Sequence, residues 1–261
     1  MRRLLIRPGA IGDLIVSLPA LESLRTDYLE VWVAERNVPL IRFADAVHSI
    51  GSTGLDLLEF QEQPGLIERL SGFDSIISWY GAGRAEFREV VDRLGLPFRF
   101  FPALPADSKV HAVDFYLSQI VERALACSSV LNLPHQRRED FAVIHPFASN
   151  PQKRWPLAKF QEVARRLKMP VRWCAGPGEE LADAVRIDDL YDLACWIARA
   201  RVYIGNDSGI SHLAAAVGTP TIVLFGPTDP AVWAPRGSRV LFPMDGIEPA
   251  DVVAAVRLPF Q

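Results

Sequence analysis

Asp207, Ser208, Gly209 and His212 fall in one short run, GNDSGISHL, and each has a type suited to holding an anion. A short apolar strand, Val202 to Ile204, leads into the run, and a helix is expected from Ser208 to Val217. Gly218 closes that helix as a C′ glycine does. A helix N-terminus presents unpaired backbone N–H groups and a partial positive charge, so it attracts phosphate. Gly209 lacks the Cβ that would hold a phosphate away, and Ser208 adds a hydroxyl donor. His212 lies four residues beyond Ser208, on the same helix face. Asp207 taken alone reads equally well as an N-cap, which needs no ligand. The run as a whole reads as a phosphate site.

Three further stretches carry candidate chemistry. Near the N-terminus, strand Leu4 to Ile6 runs into RPGAIG, and Asp13 opens a helix to about Arg25. Gly9 and Gly12 permit a tight turn and close backbone approach, but their spacing matches neither a dinucleotide fingerprint nor a P-loop. On spacing alone Asp13 reads first as a helix cap worth about 1 kcal/mol. Downstream, strand Phe141 to Ile144 precedes HPFASNPQKRWP, in which Ser149 and Lys153 stand before a helix opened by Pro156. Lys153 is by chemistry alone as good a solvated surface lysine as a phosphate ligand. Strand Val171 to Ala175 ends in Gly176-Pro177-Gly178-Glu179. Glu179, with Glu180 as its rival, could face a ligand or serve as first-turn helix charge. Arg84 follows Gly81-Ala82-Gly83 at another strand end, with Arg88 four residues on. Interleaved acids make Arg88 a solvated face; Arg84 stays open between that and an anion clamp. His111 reads as a surface or packing histidine.

These loops recur at the carboxyl ends of apolar strands, each followed by a helix. Besides those above, strands are expected at Glu30 to Ala34, Asp74 to Trp79, Phe98 to Phe101 and Thr221 to Phe225. Helices are expected near 37–46, 84–94, 110–126, 157–167, 189–200 and 248–256. Alternation of this kind implies parallel sheets with right-handed crossovers and ligands at the strands' carboxyl edge. Pro134 and Arg137-Arg138 mark a linker, so the chain divides into residues 1–135 and 136–261. Two Rossmann-like, doubly wound domains facing across a cleft, the GT-B arrangement, are the expected fold.

Composition narrows the functional classes. The apolar fraction is 49% and the charged fraction 23%, ordinary for a globular protein. A net charge of -3 supplies no positive field for nucleic acid. The first 130 residues are themselves acidic, with 13 Lys and Arg against 17 Asp and Glu. Cys127, Cys174 and Cys195 form no C-x-x-C pair and fit a reducing, cytoplasmic setting. Arg7-Pro8 breaks the N-terminal apolar run, so no signal peptide is read there. No run of about 18 apolar residues is present to span a membrane. There is no Asp-x-Asp and no clustered His or Cys, so no metal and no cofactor is expected.

Three of these stretches together resemble the heptosyltransferase family, glycosyltransferase family 9: RPGAIGDLIVSLPAL, HPFASNPQKRWPLAKF and GNDSGISHLAAAVGTPTIVLFGPTDP. The resemblance implies an inverting, metal-independent transferase. It moves a heptose from ADP-heptose to a lipopolysaccharide inner-core acceptor, Kdo or heptose. It implies Asp13 as general base; Ser149, Lys153, Asp207, Ser208, Gly209 and His212 around the donor diphosphate; and Glu179 on the ribose. Arg84 remains a candidate for the acceptor. The partners implied are the nucleotide sugar and a glycolipid at the inner membrane, placing the protein in the cytoplasm or peripherally on that membrane. In this fold the last helix commonly crosses back to the first domain. Phe147 departs from the family pattern, which has glycine there. A family member with another donor or acceptor, or a non-catalytic nucleotide-sugar binder, stays open at this point.

Overall fold

The computed structural model describes residues 1–105, 109–120, 129–134 and 136–260. The strands expected from the apolar runs are joined by two more, Ala46–Ser49 and Arg239–Leu241, and together they build two five-stranded sheets in which every pairing is parallel. The first holds β1 (Arg2–Arg7), β2 (Tyr28–Val33), β3 (Ala46–Ser49), β4 (Ser75–Ser78) and β5 (Phe98–Phe100), in the order β3-β2-β1-β4-β5. Its helices are α1 (Ile11–Ser23), α2 (Pro64–Ser71), α3 (Ala85–Arg93) and α4 (Ala112–Ser118). The second holds β6 (Ala142–His145), β7 (Val171–Trp173), β8 (Val202–Asn206), β9 (Thr221–Leu224) and β10 (Arg239–Leu241), in the order β10-β9-β8-β6-β7. Helices α5 (Leu157–Arg166), α6 (Leu190–Ala198), α7 (Gly209–Ala216), α8 (Pro230–Trp233) and α9 (Pro249–Arg257) belong to this half. Both are Rossmann-like α/β domains, as the alternation of strands and helices implies.

Strand order reverses between β1 and β4 in one sheet and between β6 and β8 in the other. Loops leaving two strands at such a point diverge and open a crevice beyond the carboxyl edge. Asp13 follows β1, Ser149 and Lys153 follow β6, and Asp207 follows β8, so these candidate residues sit at both switch points.

Three expectations are corrected. The helix near 37–46 is a 3-10 helix over Glu35–Leu40, followed by β3; Pro39 cannot donate the backbone hydrogen bond an α-helix would need. The helix near 110–126 runs over Ala112–Ser118, and its expected end lies outside the described residues, as does Cys127. The last helix does not cross back. Val252, Val253 and Ala255 of α9 pack with Phe160, Val163, Ile222 and Leu224 in their own half. With that apolar stripe satisfied locally, nothing draws the helix across.

The halves are joined through α1 and α7. Leu14, Ile15, Leu18 and Leu21 on α1 share one buried cluster with Leu213 and Ala214 on α7 and Leu190, Leu193 and Ala194 on α6. Each of the leucine and isoleucine side chains contributes about 1.5–3 kcal/mol when fully buried. The helices meet at their N-terminal ends because both carry glycine there. A Cβ on Gly209 would lie 2.8 Å from Ile11 Cβ and 3.0 Å from the Gly12 nitrogen; a Cβ on Gly12 would lie 3.2 Å from the His212 ring. The missing side chain of Gly209 therefore admits the other half of the protein, whatever it does for a ligand. Polar contacts add to the seam. His111 accepts the Val113 N–H at Nδ1 (3.2 Å), which places the proton on Nε2, and that group donates to the Ala234 carbonyl at 2.9 Å. Arg236 pairs with Asp114.

Candidate active site

The loop after β1 is shaped by a buried arginine. Arg7 is 2% exposed. Its guanidinium donates to the Pro8 carbonyl (2.6 Å), the Asp13 carbonyl (3.0 Å), the Tyr116 hydroxyl (2.9 Å) and Ser17 Oγ (3.2 Å). Gly9 takes φ +131°, where a side chain would be strained. This geometry starts α1 at Ile11, two residues earlier than expected, so Asp13 lies within the first turn rather than at the cap. Its Oδ2 accepts the Ala10 N–H at 3.0 Å. Asp13 thus has a structural hydrogen bond, and its side chain still lines a cavity.

The loop after β8 is held by Asn206, which is fully buried. It donates to the Pro146 carbonyl (2.8 Å) and accepts the Trp155 N–H (3.0 Å), tying together the two loops of the switch point. The next residue, Asp207, is not the helix cap. Ser208 occupies that position, and its hydroxyl makes no cap bond. The Asp207 carboxylate instead accepts Lys153 Nζ at 2.7 Å and Thr228 Oγ1 at 2.5 Å. Asp207 is 5% exposed, and removing one partner of such a pair leaves an uncompensated buried charge, a loss of about 3–5 kcal/mol. Lys153 is accordingly neither a solvated surface lysine nor a free cation here. His212 is 6% exposed, wedged where α1 meets α7. Burial pushes its pKa down to about 4, against the opposing pull of Asp207 and Asp13. The ring is therefore neutral near pH 7.

Glu179 closes the turn after β7. Its Oε2 accepts the Gly176 N–H at 2.6 Å and His145 Nε2–H at 3.1 Å. Burial alone would raise its pKa; the hydrogen bonds from His145 and Gly176 outweigh that and hold the carboxylate below its ordinary range. Phe147 packs its ring against His145, centroids 6.0 Å apart.

Two adjoining cavities lie in the cleft. The first, of about 360 Å³, is largely apolar: Cys174, Ala175, Pro177, Ile187 and Leu193 line it with Glu179, His145, Ser149, Ser208 and Gly209. The first half contributes Gly9 and residues 34–37 to it. The second, of about 330 Å³, is the more polar of the two and gathers Asp13, Gly12, Ser149, Lys153, Asp207, Ser208, Gly209 and His212, with Thr228, Trp233 and Leu104. The tertiary structure thus unites Gly9, Gly12, Asp13, Ser149, Lys153, Glu179, Asp207, Ser208, Gly209 and His212, whereas Glu180, Arg88 and His111 line neither cavity. Arg84 lines neither cavity, and its guanidinium pairs with Glu59 and the Tyr80 hydroxyl. Sequence reasoning overlooked Arg7, Thr228, Trp233 and residues 34–37. Arg7 and Thr228 stood in recognised motifs; Trp233 and residues 34–37 carried no local signal. Among the described residues, no group of three or more His, Cys, Asp or Glu is placed to hold a metal ion. No helix among them is long and apolar enough to cross a membrane.

Two facing Rossmann-like domains place both cavities beyond the carboxyl edges of their sheets, where open α/β folds bind ligands. The model for glycosyltransferase family 9 (heptosyltransferase) matches residues 104–245, and the chain belongs to this family. It is 28% identical over 130 residues to lipopolysaccharide heptosyltransferase 1 of Salmonella typhimurium, a match covering 43% of this chain and 38% of that relative. The fold is similar to that of the E. coli ADP-heptose lipopolysaccharide heptosyltransferase II (TM-score 0.74, 17% identity, 98% of this chain and 97% of that one). It is also similar to that of E. coli heptosyltransferase WaaC solved with ADP (TM-score 0.71, 19% identity, 97% and 98% covered).

Proposed function

We propose that this protein is an inverting glycosyltransferase that moves a heptose from ADP-heptose to a sugar hydroxyl of a lipopolysaccharide inner-core acceptor. One observation carries the reading: Asp13 from one half and the Lys153–Asp207–Ser208 constellation from the other line the same cavity. The adjoining apolar cavity, with Glu179 at its side, suits a nucleoside, and the relatives' names supply ADP-heptose as the donor. The diphosphate then lies at the N-terminus of α7, against Ser149, Ser208 and Lys153. There the helix dipole, hydroxyls and ammonium offset the charge that grows as ADP leaves. Asp13 takes the proton of the acceptor hydroxyl as its oxygen attacks the anomeric carbon from the face opposite the diphosphate. The new C–O bond forms as the bond to the β-phosphate oxygen breaks, so configuration inverts in one displacement. Asp207 holds Lys153 in place through the ion pair, and neutral His212 offers a hydrogen bond to the phosphate or the donor sugar. The lipid acceptor places the reaction at the cytoplasmic surface of the inner membrane.

A second reading, a family member with another donor or acceptor, is favoured by the acidic first half and by Arg84, whose charge is already matched by Glu59. One experiment separates the two. Calorimetry with ADP, UDP and GDP is followed by incubation with ADP-heptose and Kdo-bearing lipid A, reading the product by mass spectrometry and its anomeric configuration by NMR. ADP selectivity with an inverted heptoside supports the first reading. Selectivity for UDP or GDP, or ADP binding without transfer to that acceptor, moves the protein to the second.

A further inference from the structure

Two residues that line the first cavity, one from each half, each carry a buried polar atom with no hydrogen-bond partner: Asn37 Oδ1 and His145 Nδ1. Asn37 is 1% exposed and His145 3%. A buried acceptor left unmatched is costly, so folded proteins rarely keep one without a use. The orientation of the Asn37 amide is fixed by chemistry. Its Nδ2 donates to the Gly9 carbonyl at 3.1 Å, and a flipped amide would set two oxygens against each other. The unpartnered atom is therefore an acceptor. The element carrying Asn37 is rigidly placed: the 3-10 helix Glu35–Leu40 packs on α6 of the other half, and just beyond it Arg42 lies 4.5 Å above the Tyr191 ring.

We infer that Asn37 is a specificity-determining residue for the donor nucleotide, its Oδ1 accepting a hydrogen bond from an N–H or O–H of the nucleoside. The inference rests on the proposed nucleotide-sugar reading. It adds that the first half, the acceptor side of the cleft, also reads the donor. The nucleoside would then lie between Asn37 on one side and Glu179 and His145 on the other. Two groups of ADP could serve, the exocyclic amine of the base or a ribose hydroxyl.

The test is calorimetry on the full chain and on Asn37→Ala, with ADP, IDP, 2′-deoxy-ADP, 3′-deoxy-ADP and inorganic pyrophosphate. The wild-type chain should bind ADP about 3- to 10-fold more tightly than one of the altered nucleotides, as one lost hydrogen bond implies. Weaker IDP points to the base amine; a weaker deoxy analogue points to that hydroxyl. In Asn37→Ala, ADP affinity should fall by the same factor, discrimination against that analogue should vanish, and pyrophosphate affinity should hold. Unchanged discrimination in the variant overturns the inference. So does a parallel loss of pyrophosphate affinity, which would mean that Asn37 acts only by propping the Gly9 loop. Failure of the wild-type chain to bind ADP would instead refute the donor reading beneath it.

Discussion

The two halves have the same parts and use them differently. Each is a five-stranded parallel sheet with a switch point facing the cleft. In the second half the polar residues are dense and contiguous: Asn206 to Gly209 after β8, and His145 to Lys153 after β6. They are cross-tied by Asn206 and by the Asp207–Lys153 pair. In the first half the contributions are sparse. Asp13 comes from the loop after β1, and residues 34–37 come from the loop after β2. A phosphate needs several donors converging on one point, which neighbouring residues on a helix N-terminus supply cheaply. A proton acceptor needs only one carboxylate at the right distance. The family model reflects the same asymmetry, since it matches residues 104–245 and leaves most of the first half unmatched.

If the first half supplies the base and the second the donor grip, the strongest test is Asp13→Asn. Turnover should fall by about 10²- to 10⁴-fold, while ADP affinity stays within about twofold by calorimetry. A variant that keeps its turnover would end the assignment. Lys153→Ala tests the opposite half and should give the reverse pattern, with donor affinity falling roughly 10- to 100-fold because a charge-assisted contact is lost. It should also lower thermal stability, since Asp207 is then buried with only Thr228 to satisfy it. Equal losses in Asp13→Asn and Lys153→Ala, in both turnover and affinity, would break the division of labour.

The seam between the halves gives a third test. Gly209→Ala forces a Cβ to within 2.8 Å of Ile11 Cβ. It should cost about 1–3 kcal/mol, seen as a lower midpoint in urea. An unaltered midpoint would mean that α1 and α7 separate freely. A fourth test concerns His212. Its folded pKa, about 4, lies below the ordinary 6.5 of an unfolded histidine. Between those values the unfolded chain binds more protons, so the stability that neutral His212 contributes is present above pH 6.5 and lost as pH falls towards 4. Denaturation midpoints over that window should flatten in His212→Gln relative to the wild-type chain.

Much of the fold was legible in the sequence because parallel strands buried on both faces read as short apolar runs punctuated by glycine and proline. Where the reading failed, a competing interaction had decided. Pro39 turned an expected helix into a 3-10 segment, and α9 stayed at home because its apolar stripe already had a partner in α5. The candidate site was legible where its residues were contiguous, as in Asp207 to His212, since such a run concentrates donors at one helix end.

The sequence by itself determined the two parallel sheets, the polar turn after Ile204 and the family to which the chain belongs. Local pattern and residue type suffice for all three. Only the tertiary structure decided that Asp207 holds Lys153 and does not cap a helix, and that Gly209 is small so that Ile11 can approach. It alone showed that Arg84 is spent on Glu59 and that Asn37 reaches a cavity formed mostly by the other half. Each of these depends on a contact between residues far apart in the chain, and such a contact leaves no trace in the spacing of either partner.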